Sequence, residues 1–340
     1  IDGTAGDDIF TVDFSGGNPV PSGGLTFNGG ANGVGGDELV ISGGSTFTDA
    51  TYNFVNENDG SIQLTGTGLI TYTGLEPITS TITATNVTLN YSTAAETIDV
   101  TPGPPGPPGQ TTVDSDAGEI VTFNDPTGTL QINAGDTGVN TINVGALAAN
   151  YPANIDINGG NGGDSVVLQG SNTLATDKSL SIDAEIISNR DFPTATVFTP
   201  TLATSGTGTI AFNATQKIFL QSGATLTTVN GGITLNGNAA GGSGAVPLTG
   251  VDLVGTTVAT TGTGAINITG QGGISGDSKG IFLRSVSRVT SSLTLGGGSI
   301  TLTGTSNSTV AQNFGVSVED SSLIDSKSGA ITITGNGGAG

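Results

Sequence analysis

Gly264-Ala-Ile-Asn-Ile268, Gly298-Ser-Ile-Thr-Leu302 and Gly329-Ala-Ile-Thr-Ile333 are one phrase written three times: a glycine, a small residue, then two apolar residues with a polar one between. Looser copies stand at Gly208-Thr-Ile-Ala-Phe212 and Gly232-Ile-Thr-Leu235. The first apolar residues are Ile210, Ile233, Ile266, Ile300 and Ile331, at intervals of 23, 33, 34 and 31 residues. Alternation of period two marks a half-buried strand, and a unit of this length recurring without a helical pattern marks a stacked repeat. One copy has too little apolar surface to fold alone, so each must bury its Ile and Leu on the next. The outward positions Ala211, Thr234, Asn267, Thr301 and Thr332 are small or polar, as a solvated face requires.

Each repeat holds more than one strand. Gly280-Ile-Phe-Leu283 and Gly315-Val-Ser-Val318 follow two of the phrases at an offset of 35, and Val289 and Ile324 share that offset. Three short strands separated by Gly, Ser and Asn turns predict an all-β fold, an elongated parallel β-helix or β-solenoid of roughly ten Gly/Thr/Asn-rich coils with under about a tenth helix. The first 200 residues use a related phrase: Leu25-Thr-Phe27, Leu130-Gln-Ile132 and Ile155-Asp-Ile157 each run through a Gly-rich turn into Leu39-Ile41, Ile142-Val144 and Val166-Leu168. Strand-like segments Ile62-Leu64, Ile70-Tyr72, Val87-Leu89 and Ile98-Val100 fill the interval. Pro102-Gly-Pro-Pro-Gly-Pro-Pro-Gly109 is too short for a triple helix and reads as a stiff polyproline loop or hinge. Four regions result: solenoid over 1–101, a Pro/Gly-rich loop or hinge over 102–110, solenoid over 111–200 and repeats of about 23–35 residues over 201–340, with Phe192 to Pro200 as the weaker boundary.

Lys and Arg number 7 against 28 Asp and Glu, a net charge of −21. Such a surface repels phosphate backbones and anionic lipid, which argues against nucleic-acid partners, and no apolar run is long enough to span a membrane. Cys, Met, Trp and His are all absent, which removes disulfides, thiolate sites, the commonest general base and the usual zinc ligand.

Gly159-Gly-Asn-Gly-Gly-Asp-Ser-Val-Val167 fits the nonapeptide G-G-x-G-x-D-x-U-x at every specified position. Gly3-Thr-Ala-Gly-Asp-Asp-Ile-Phe10, Asn32-Gly-Val-Gly-Gly-Asp-Glu-Leu39 and Gly135-Asp-Thr-Gly-Val-Asn-Thr-Ile142 fit with one or two departures. These turns resemble the calcium-binding repeats of secreted RTX (haemolysin-type) proteins, and the style of the whole chain resembles filamentous-haemagglutinin-like adhesins. The resemblance implies Ca2+ held by Asp8, Asp37 and Asp164, with Asn140 a weaker ligand and Asp7 and Asp136 nearby. RTX repeats run in tandem every nine residues, whereas these motifs stand singly, 29 residues apart from Asp8 to Asp37 and 24 apart from Asn140 to Asp164. The competing reading of the same turns is a Gly-rich corner whose Asp caps strand amides.

Catalysis finds little support. Arg284 and Arg288 are close in sequence without an accompanying carboxylate cluster, and Asp183/Glu185 and Asp114/Asp116 are scattered pairs with no recurring partner. The expected function is therefore structural and not enzymatic: a secreted, cell-surface or matrix fibre or adhesin stalk, calcium-stiffened and filament-forming. Its partners would be further copies joined end to end or the continuation of a longer chain, since Ile331-Thr-Ile-Thr-Gly-Asn-Gly-Gly opens a coil as Ile266-Asn-Ile-Thr-Gly-Gln-Gly-Gly does, and also cell-surface glycans or matrix. Two alternatives stand beside it. One is a carbohydrate-active β-helix enzyme of the polysaccharide lyase or hydrolase type. The other is an ice-binding module, suggested by Thr301-Leu-Thr303, Thr332-Ile-Thr334 and Thr71-Tyr-Thr73 and weakened by Asn267 and Ala211 in the same rank. Sequons at Asn86, Asn90, Asn213, Asn267 and Asn307 are what this composition yields by chance.

Overall fold

A computed structural model describes the chain except residues 32, 45, 93, 107, 108, 192, 193, 239–247, 293–295, 310–312, 339 and 340. Among the described residues the regular elements are all strands, with no helix. The protein is all-β. It divides into two compact units, 1–162 and 163–340, and the division falls inside the stretch 111–200 that the sequence reading grouped together.

In the second unit three sets of strands pair in parallel, one strand of each set per repeat. The first set brings Ile210 opposite Ile233, Ile233 opposite Ile266, Ile266 opposite Ile300 and Ile300 opposite Ile331. A second set runs Ile210–Gln221, Val251–Val254, Ile281–Arg284 and Val316–Val318, pairing Ile281 with Val316. A third runs from Asn172–Thr176 to Leu323–Ser326 and pairs Val289 with Ile324. Ile210, Ile233, Ile266 and Ile300 are fully buried, whereas Ile331 is 44% exposed. Stacking identical residues buries apolar area at about 25 cal/mol per Å² while leaving the outward side chains to water. The glycine in this column opposite Gly208 and Gly264 is Gly231 rather than Gly232, because the register counts back from Ile233.

The first unit mixes directions, a departure from the purely parallel expectation. Its parallel ladders join Ile9–Asp13, Glu38–Ser42, Ile78–Ser80 and Val121–Asn124, and likewise Thr46–Phe54, Thr83–Asn90, Thr129–Asn133 and Asn154–Asn158. Between them Thr46–Phe54, Gly60–Leu64 and Ile70–Thr73 pair antiparallel. The cause is local turn chemistry. Asn56 Oδ1 accepts the Asn58 and Asp59 amides and reverses the chain, and Gly66, at φ 84°, closes the next turn. The Pro/Gly stretch likewise connects two antiparallel strands, with Thr111 opposite Pro102 and Ser115 opposite Ile98; Pro107 and Pro108 lie outside the described residues.

Side-chain ladders run along the stacks. The Asn133 amide donates to Asn90 Oδ1 and the Asn90 amide to Asn53 Oδ1, both at 2.8 Å. In the second unit Asn236 donates to Asn213 and Asn213 to Asp183. Each such bond contributes about 1 kcal/mol and favours the in-register pairing over a slip. Asn90 and Asn213 are thereby committed to ladders and Asn86 donates to Asp49 in the same way, while the remaining two sequon asparagines, Asn267 and Asn307, are exposed.

Candidate functional site

The acidic turns stand where strands begin, and three of them follow one rule. Asp8 precedes the strand Ile9–Asp13; its N–H donates to Asp37 Oδ1 at 2.7 Å, while its C=O accepts the Glu38 amide at 2.8 Å. Glu96 precedes Thr97–Pro102; its N–H donates to Asn140 Oδ1 at 3.1 Å, and its C=O accepts the Thr141 amide. Asp164 precedes Ser165–Leu168; its N–H donates to Glu185 Oε2 at 2.8 Å, and its C=O accepts the Ile186 amide. The parallel ladder would supply a backbone carbonyl at this step, but the turn has carried the chain away. A side-chain oxygen from the neighbouring repeat takes the vacant place, so the ladder extends one bond beyond the strand.

The remaining candidate ligands serve the same turns. Asp8 Oδ2 accepts the Thr4 amide at 2.6 Å, and both Asp7 oxygens accept the Gly35 amide at 3.1 Å. Asn140 Nδ2 donates to the Gly135 carbonyl, and Asp136 accepts weakly from Asn161 at 3.4 Å. Asp37, Asn140 and Asp164 are fully buried. Asp8 and Asp37 are neighbours through the Asp8 amide; Asn140 and Asp136 belong to the first unit and Asp164 to the second, and Asn32 of the second motif lies outside the described residues. Calcium requires six to eight oxygens around one point. No group of three or more acids converges in this way among the described residues, and Asp7, Asp8 and Asp37 turn toward backbone amide N–H groups instead. The donor set does not fit a calcium cage. Melting curves in calcium and in chelator are expected to superimpose; a ligand held by the folded state at 100 times its dissociation constant would separate them by about 2.7 kcal/mol.

Glu96 and Glu185 are the ladder members that sequence reading missed, since neither lies in a nonapeptide. Glu96 stands directly before the strand Thr97–Pro102, whereas Glu185 lies within Leu180–Ser188 where the pairing register shifts between Ala184 and Ile186, a position that composition does not mark. The ladder that starts at Asp8 and Asp37 ends differently. The pairing of Leu39 with Ile78 and of Ile78 with Val121 places Glu76 and then Glu119 in the same column. Glu119 is fully buried and neither carboxyl oxygen has a well-formed hydrogen bond among the described residues. Burial pushes it up to about 9; the charge of Glu76 adds to this, the Ile120 amide opposes it, and Asp114 and Glu57 add smaller amounts. Tyr72, whose buried hydroxyl is likewise unpartnered, is raised by burial first and by Glu119 second. Burial thus favours the neutral form of this carboxyl, beside the charge of Glu76.

Arg284 and Arg288 do not form a pair: they lie on strands of different sheets, and Arg284 is bound to Asp252. No protein-family model, no curated protein and no solved structure matches the chain. Its function therefore rests on its own geometry.

Proposed function

We propose that the chain is a segment of parallel β-solenoid with a structural role, a stalk, surface fibre or matrix filament of a secreted repeat protein of the RTX-like or filamentous-haemagglutinin-like adhesin kind. The observation that carries this reading is the register. Ile210 to Ile331 meet partner by partner through five repeats, with two further strand sets keeping step beside them. Repetition of one interface gives stiffness along one direction and needs no unique core. The turn carboxylates support the same reading, since they extend the backbone ladders. A net charge of −21 keeps such a surface soluble and suits an extracellular setting.

The same reading assigns a role to the strand Ile331–Asn336. Ile331 and Ile333 occupy the repeat's inward positions yet are 44% and 49% exposed. An exposed apolar strand is a template for another strand, and the fitting occupant is one further repeat, supplied by the continuation of a longer chain or by a second copy stacked head to tail. Sedimentation velocity at micromolar concentration is expected to show oligomers that grow with concentration, and Ile333→Lys is expected to return the chain to monomer. A wild-type chain that stays monomeric throughout would refute the assembly.

A further inference from the structure

Acid and base are divided unequally between the units. All seven Lys and Arg stand at residue 178 or beyond, whereas 18 of the 28 Asp and Glu lie in 1–162. The side chains of the first unit therefore carry a charge of −18 and those of the second −3. No carboxylate of the first unit has a Lys or Arg of its own unit to pair with. The one cation there is the Ile1 amino group, which donates to the Thr26 carbonyl at 2.9 Å. A field of this sign and size draws polycations in and holds nucleic acid and anionic lipid off.

A groove of about 450 Å³ opens in this unit, lined by Val34, Glu76, Pro77, Ile120 and the glycines on either side of Val34. Backbone contacts fix its shape. Both Asp7 oxygens accept the Gly35 amide at 3.1 Å, and a Cβ on Gly36, at φ 75°, would land on the Glu76 carbonyl oxygen, so the glycine loop lies directly against Glu76. The Glu76 amide in turn donates to the Asp37 carbonyl at 2.7 Å. Val34 is fully exposed, and Pro77 and Ile120 are half-buried. Glu76 is exposed, and its carboxylate meets no cation at ion-pair distance among the described residues. Glu119, next in the chain to Ile120, stands one repeat beyond Glu76 in the same column. It is fully buried with neither oxygen well bonded, and every charge that acts on it, from Glu76, Asp114 and Glu57, is negative. A positive charge arriving at Glu76 would relieve both acids.

We propose that this groove seats a lysine side chain of a basic polypeptide partner, its aliphatic stem on Val34, Pro77 and Ile120 and its ammonium on the Glu76 carboxylate. Lysine has the required form, an apolar stem that packs on apolar surface and a charged tip that stays at the rim. An exposed ion pair alone contributes little, so the stem contacts and the field of the whole unit must supply most of the affinity. The site depends on the first unit's groove and charge, not on the register of the stacked repeats. Its test can therefore fail without touching the stalk reading.

The test is titration calorimetry of the full chain with tetralysine and with tetralysine acetylated on every side chain. Acetylation is expected to weaken binding at least about tenfold, and raising the salt concentration to weaken binding of the unmodified peptide. Glu76→Gln should weaken tetralysine about tenfold and Val34→Ser about threefold, each with the melting temperature held. Asp136→Asn removes an exposed acid from a different turn of the same unit and should change affinity by less than about twofold. In competition, n-butylammonium, which has the lysine stem, should displace tetralysine at lower concentration than methylammonium, which lacks it. An equal loss in Glu76→Gln and Asp136→Asn would mean diffuse attraction without a seat and would overturn the proposal. So would wild-type affinity in Glu76→Gln or in Val34→Ser, equal competition by the two amines, or no binding of tetralysine. If Glu76→Gln fails to fold, Val34→Ser and the amine comparison on the wild-type chain decide the matter.

Discussion

Gly264→Ala is expected to destabilise the second unit by about 3 kcal/mol, a fall in melting temperature of about 6–12 °C for a unit of this size. The reason is room rather than backbone freedom. A Cβ on Gly264 would land on the carbonyl oxygen of Gly231, and one on Gly298 would land on that of Gly264. Gly208, Gly231, Gly264, Gly298 and Gly329 thus form a column in which each repeat's backbone occupies the space a side chain would need in the next. Buried hydroxyls hold the column from within: Thr204 donates to the Gly208 carbonyl and Thr228 to that of Gly231, both at 2.6 Å. The oxygen that a methyl group would strike therefore cannot step aside without breaking a hydrogen bond. Two comparisons isolate the effect. Gly16→Ala, with nothing within 4 Å of the new carbon, should stay within about 0.5 kcal/mol of wild type. Gly223→Ala meets no atoms but holds φ at +90°, and should cost about 1–2 kcal/mol from strain alone. Calorimetric melting of the three variants gives the answer. A Gly264→Ala transition at the wild-type temperature would show that the repeats are not packed backbone on backbone at this corner.

That column was legible before the structure because it depends on a pattern repeated at short range. The alternation around Ile266 and Ile300, and the glycine two residues before each, need no knowledge of partners. Chain direction was another matter. Ile62-Leu64 and Ile70-Tyr72 read as strands and are strands, but their antiparallel course is decided by the Asn56 side chain and by Gly66 in the turns, where composition gives no direction. The acidic motifs were legible as turns that lead into strands. What each carboxylate holds depends on the residue one repeat away, and Glu185 lies 21 residues past Asp164 in a segment that carries no motif.

The same register places Glu119 at the end of its acidic column, and its protonation should govern the first unit's response to pH. Its folded-state value, about 9, lies above the ordinary 4.5, so the folded chain holds this proton more tightly than the unfolded chain does. The stabilising contribution is complete below about 4.5 and is lost progressively as pH rises through 9. Each unit of separation between folded and unfolded values is worth about 1.4 kcal/mol, so the loss across this window amounts to several kcal/mol. Glu119→Gln keeps the shape and removes the proton. The variant is expected to approach wild-type stability at the acid end, to exceed it increasingly as pH rises from about 4.5 to 9, and to keep a level advantage above that, where wild type must bury a carboxylate without a cation beside it. Glu96 and Asp125, both raised chiefly by burial, slope the same way. Asp13 and Asp177, lowered chiefly by the amides of Ser15 and Thr207, slope the other way at the acid end. All four are common to both proteins, so the difference between the two urea-unfolding curves isolates Glu119. Parallel stability profiles across the window would mean that Glu119 is ionised in the folded chain and that water reaches it.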